Sequence, residues 1–311
     1  MRRFPALILA AGAALLPTIA MAQDGAEDAL NSGDNAWLLI SSALVLMMTM
    51  PGLTLFYGGL VRAKNFLAVL VQVGAIAAIA SLLWIVCGYR FAFGEVTNGW
   101  LGSGSTWMLA NTAGLLHGDI SVSERTFALF QLTFAAITPA LMAGAWVDRA
   151  RFGWVLGFCA LWGLVVYAPV AHWVWGGGWL ATTMHTKDFA GGIVVHTTAG
   201  VSALVAALLV GSRQGFNKTL MLPHSPSLTM AGAALLWVGW FGFNGGSALA
   251  ADDAAASAII NTHVGASMAA LVWLAIERFS VGKPTSVGFA TGAIAGLATV
   301  TPAAGFISPG A

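Results

Sequence analysis

Apolar residues fall in long runs along this chain, and polar residues collect between them. Eight runs approach the length of a bilayer-crossing helix: about Ala36–Tyr57, Phe66–Tyr89, Thr126–Trp146, Phe152–Ala171, Phe189–Val210, Leu228–Phe243, Ala254–Ile276 and Val287–Val300. A helical span needs roughly 20 such residues. The shorter runs have glycine-rich flanks, such as Asn244–Ala248, that can extend them.

The polar stretches test this count. With the start of the first span outside and sides alternating, Arg62, Lys64, Arg149, Arg151, Arg213, Lys218, Arg278 and Lys283 fall inside. Arg90, Arg125 and Lys187 fall outside, and of the acids Asp148 and Glu277 alone fall inside. Basic residues favour the cytoplasmic side, and moving the count by one span reverses the bias. The expected product is a multi-pass protein of the cell inner membrane with its mature N-terminus outside.

The first residues read differently. Arg2 and Arg3, the apolar stretch Phe4–Ile19 and Ala20-Met21-Ala22 have the layout of a cleaved secretory signal. The expected organisation is a signal at residues 1–22, an exported polar N-terminus at 23–34, and one membrane domain at 35–311.

Composition agrees. The chain is 58% hydrophobic and 8% charged, where a soluble domain carries about 25% charged residues. Its 38 glycines permit close helix approach, and its 13 tryptophans suit the lipid–water interface. Loss of Arg2 and Arg3 takes the net charge from +1 to about −1, which gives no reason to expect a nucleic-acid partner. Cys87 and Cys159 lie inside apolar runs and read as packing residues.

Asp188 and His196 flank the start of the fifth run. On a continuous helix they would lie roughly 12 Å apart in depth, on neighbouring faces. Ionisable groups in an apolar segment are costly and are usually functional. At the end of the fourth run, Trp173, Trp175 and Trp179 surround Gly176-Gly-Gly178. They read either as an interfacial belt or as a cation site, since an indole face attracts ammonium-type ions. His172 reads as a satisfied interfacial histidine. Phe127, Phe130 and Phe134 share a helix face, a pattern usual in packing. Asn244 and Ser247, after Trp240 and Phe243, offer acceptor oxygens at a helix end. His263 is expected near the start of the seventh span. In the long loop Arg90–Arg125, His117 and Asp119 read as solvated, and Trp100 and Trp107 as interfacial. His224 reads as a surface residue. No metal-ligand constellation, phosphate loop or nucleophile context appears, so neither an enzyme nor a cofactor is expected.

Five stretches resemble, in order, motifs of the ammonium transporter family, which includes methylammonium permeases and Rhesus proteins. They are Pro51–Arg62, Ala171–Gly178, Asp188–His196, Trp240–Ser247 and Gly292–Pro302, and the bacterial ammonium transporter branch fits best. The resemblance implies an all-α inverted-repeat bundle: two five-helix halves and a last helix, assembled as a homotrimer. It implies an outer ammonium site of Trp175, Phe130 and Ser247, a gate of Phe130 stacked on Phe243, and His196 as the first of two pore histidines. Asp188 would stabilise the recruitment site. The family's second pore histidine, and the tail that meets a PII-type regulator, would lie beyond Ala311, so the sequence is expected to be a piece of a longer protein. His263 does not match the missing histidine.

The expected function is transport of ammonium or ammonia: cation recruitment outside, deprotonation, and passage along a histidine-lined apolar pore. Four alternatives stand beside it. They are an ammonium sensor, a non-functional fragment, an intramembrane enzyme using Asp188 and His196, and an ion-coupled transporter of another small cation.

Overall fold

The computed structural model describes residues 30–310. The expected signal at 1–22, and the exported stretch as far as residue 29, lie outside the described residues. Among the described residues, eight helices are long and apolar enough to cross a membrane: Ser32–Leu60, Ala63–Phe93, Glu124–Ala145, Phe152–Thr182, Gly192–Val210, Pro226–Gly246, Asp253–Ser280 and Ser286–Ala303. They correspond one to one with the eight apolar runs.

Most are longer than the runs because polar residues start them. The first amides of a helix have no partner within it, and a short polar side chain before the first turn satisfies one or two of them. Asn31, Ser123, Ser225, Asp252 and Thr285 each do this. The seventh span therefore begins at Asp253, and His263 lies well inside it rather than near its start. The fifth begins only at Gly192, so Asp188 and His196 do not share a continuous helix.

Contacts sort the connecting segments to two ends. At one end Arg62 pairs with Asp148 at 2.9 Å, Arg149 bonds the carbonyl of Gly211, and the ring of His224 bonds the carbonyl of Val61 at 3.0 Å. At the other, Asn31 N–H bonds Ser121, Trp179 N–H bonds Gly99, and Phe189 N–H bonds Pro302. This end also carries a two-strand ribbon, Glu95–Val96 antiparallel to Gly102–Ser103.

The sixth span packs on the first through small residues. A methyl at Gly232 would meet the backbone nitrogen of Phe56, one at Gly239 the side chain of Met48, and one at Gly242 that of Leu44. Lipid offers no hydrophobic gain for helix association, so such close van der Waals approach holds the pair together. The third span is the most enclosed of the eight. Four spans widen locally into π turns, at Met48–Leu53, Trp84–Gly88, Gly163–Tyr167 and Gly192–Thr197. The first contains Pro51, which has no amide to donate. The last carries His196, whose N–H reaches the carbonyl of Gly191.

Candidate functional site

Three cavities follow one another through the bundle. The outer one, about 270 Å³, is lined by His117, Gln131, Phe134, Trp175 and Ser247 with several apolar neighbours. The second, about 140 Å³, is lined almost wholly by apolar side chains, with Tyr57, His196, Trp240 and Phe243 among them. The third, about 160 Å³, borders Tyr57, Gly144, Val147 and Arg213 at the basic end. Tyr57 lines both the second and the third.

Two rings divide the first cavity from the second. Phe134 faces the outer cavity, Phe243 the middle one, and their centroids are 4.2 Å apart at 30°. Each is 1% exposed. The edge of Trp175 meets Phe134 at 5.9 Å and 87°. Below the pair, His196 lies almost parallel to Phe243 at 6.0 Å and 18°, and 5.5 Å from Trp240. Its Nε2 is buried, with no hydrogen-bond partner among the described residues.

Local structure explains how these side chains are held. The chain turns at Gly176–Gly178, where a side chain on Gly176 would collide with the carbonyl of Ala92. His172, fully buried, holds the same carbonyl through Nδ1 at 3.0 Å. This aims Trp175 inward, and its Nε1–H donates to the backbone oxygen of Asp188 at 2.8 Å. The Asp188 carboxylate accepts four amides: Gly191 at 3.0 Å and Gly192 at 2.6 Å on Oδ1, Ile193 at 2.7 Å and Val194 at 3.1 Å on Oδ2. It thus closes the amide end of the fifth span, where the helix dipole also favours an anion. Ser247 donates to the Phe243 carbonyl at 2.8 Å, so what its hydroxyl can offer the outer cavity is oxygen lone pairs.

An indole and a hydroxyl oxygen at the mouth of an apolar chamber suit a small cation. The family model described as the Ammonium Transporter Family matches residues 36–311.

The chain belongs to that family.

An ammonium transporter of Aquifex aeolicus is 47% identical over 91% of this chain and 66% of its own length. A putative ammonium transporter of Methanothermobacter thermautotrophicus is 48% identical over 91% of the chain and 69% of its own. The crystal structure of Saccharomyces cerevisiae Mep2 superimposes with a TM-score of 0.82 at 36% identity, over 91% of this chain and 65% of that one. The chain therefore spans about two thirds of the length of these relatives.

Several expectations from the sequence need correction in this member of the family. The ring stacked on Phe243 is Phe134, one helical turn beyond Phe130. Phe130 packs behind it, edge-on to Phe134 at 5.0 Å, and against Gly246. Gly246 has no side chain to keep Phe130 at a distance, and the stripe of three phenylalanines left open which of them faced the cavity. Asn244 is fully buried in a network, donating to Thr262 at 2.7 Å and accepting from Thr301 at 3.3 Å, and offers no oxygen to the cavity. Of the three tryptophans, Trp175 alone lines the cavity. Trp173 and Trp179 cluster with Trp100 outside it, at 5.6 and 5.7 Å.

Two lining residues escaped the sequence reading. Gln131 presents a buried, unpartnered Oε1. His117, expected to be solvated, stacks on Phe127 at 3.5 Å and 10°. The spacing of His117 to Glu124 and Phe127 was the available signal, but a loop of unknown path hid it.

Proposed function

We propose that this chain conducts ammonium nitrogen across the membrane through the three cavities. The observation that carries the reading is the seal of Phe134 on Phe243 between a chamber with polar groups and an apolar chamber holding His196. A cation in an apolar interior pays a desolvation cost of several kcal/mol, whereas neutral ammonia pays far less. Trp175 and the Ser247 oxygen concentrate ammonium outside. A proton leaves there, and ammonia passes the rings when they part. His196 meets it below, able to donate at one ring nitrogen and accept at the other. Phe130 packs behind the gate as part of the core, and Asp188 holds the vestibule in shape by anchoring the fifth span and Trp175.

In this reading the protein is a homotrimer in the cell inner membrane, mature N-terminus outside, with the basic end of the bundle in the cytoplasm. The test is uptake of labelled methylammonium by vesicles containing the chain, with competition by ammonium. Saturable uptake that ammonium displaces is expected, and uptake no faster than into empty vesicles overturns the reading.

A further inference from the structure

We propose that His117, oriented by Glu124, is the base that takes the proton from ammonium in the outer cavity. This deepens the transport reading and rests on it.

His117 N–H bonds the Val122 carbonyl at 3.0 Å, Ile120 N–H the His117 carbonyl at 3.2 Å, and Glu124 N–H the Leu115 carbonyl at 2.8 Å. These bonds fold residues 115–124 into a tight hairpin lying over the first turn of the third span. The imidazole is pressed flat on Phe127, with its edge region against Phe93 at 6.2 Å and 84°. A ring so clamped has one orientation.

Its two nitrogens then differ. Nδ1 is 2.7 Å from Glu124 Oε2, and Oε1 of the same carboxylate accepts from the Tyr89 hydroxyl. A carboxylate has only acceptors, so the proton of the neutral ring sits on Nδ1. Nε2 is left with its lone pair, and no described residue hydrogen-bonds it. His117 lines the cavity that Trp175 and Ser247 share. A carboxylate–imidazole pair on a residue that lines a cation-binding cavity, with its second nitrogen free, is the arrangement of a general base.

The step balances. One N–H bond of ammonium breaks, and its electron pair remains on nitrogen as the lone pair of ammonia. Nε2–H forms, and the Glu124 carboxylate offsets the imidazolium charge. The His117 side chain is 25% exposed, so the proton can leave to outside water while ammonia passes inward. Of the other ionisable groups nearby, Arg90 is engaged with Gly104 and the ring of Trp107, Arg125 with Thr112, Asp34 with Ser121 and the Ala251 amide, and Asp188 with its four amides, while Asp119 stands exposed on the same hairpin. Tyr89 is the remaining titratable group in contact with the pair.

The experiment is methylammonium uptake by reconstituted vesicles across the histidine titration range, about pH 5 to 8. Wild-type uptake should rise with pH through one inflection. His117→Gln should remove the inflection and lower the maximal rate by about 100-fold, with KM changed little. Glu124→Gln should lower the maximal rate by about 10-fold with KM changed little, because the ring loses the partner that orients it and offsets the imidazolium charge. Glu124→Asp should restore part of the rate. Size-exclusion profiles monitor folding; if His117→Gln does not fold, Glu124→Gln and its partial rescue by Glu124→Asp carry the test. Wild-type uptake whose maximal rate and pH profile these variants leave unchanged overturns the role of His117 alone. Absence of wild-type uptake overturns both this role and the transport reading.

Discussion

The ring of Phe134 lies over that of Phe243 at 4.2 Å, and the two come from helices far apart in sequence, the third and sixth spans. Offset rings of this kind attract each other by about 0.5–1.5 kcal/mol beyond ordinary packing.

The seal separates Phe134 from Phe130 experimentally. Phe134→Ala should join the cavities and raise the leak of methylammonium severalfold in stopped-flow flux measurements. Phe130→Ala should instead cost stability, about 3–5 kcal/mol for a buried ring, with flux per folded molecule nearly unchanged. The reverse ranking would return the gate to Phe130.

Asp188→Asn should weaken the start of the fifth span. An amide has one acceptor oxygen where the carboxylate had two, and each amide left unpaired costs about 1–3 kcal/mol. The melting temperature should fall, and tryptophan emission should change because Trp175 bonds the backbone of the same residue. An unaltered melting curve would show that the carboxylate does not bear this load.

His196→Asp places a carboxylate in the apolar middle cavity. The substitution should let cations follow, seen as larger ammonium-evoked currents and weaker discrimination between ammonium and methylammonium. Currents and selectivity equal to wild type would remove His196 from the pathway.

The glycine stripe of the sixth span makes a purely structural prediction. Gly232→Ala drives a methyl into the backbone of the first span, which cannot yield as a side chain would, and should cost about 1–3 kcal/mol by overpacking. Gly157→Ala, which meets nothing within 4 Å, should be neutral or mildly stabilising. Thermal unfolding in detergent distinguishes them.

The eight spans were legible because lipid imposes a length and a composition on each segment separately, whatever its neighbours do. The sorting of Arg62, Arg149 and Arg213 to one end was legible for the same reason. The place of the Asp188 carboxylate is not legible in the sequence, because the apolar run continues through Phe189–Gly191, whereas Gly191 takes φ 105° and the helix starts after it. Asn244 misled because its partners, Thr262 and Thr301, sit on two other spans.

The chain alone therefore determined how many helices of spanning length its described residues hold, which connections lie together, and which family it resembles. Hydropathy and charge act locally, and five motifs in order are a property of the string. Folding alone decided that Phe134 meets Phe243, that Asp188 spends its charge on backbone amides, and that His117 reaches the cavity of Trp175. Each of these depends on the rotation of one helix against another, set by glycines that admit a neighbour to within contact distance, and periodicity along a single segment carries no record of that rotation.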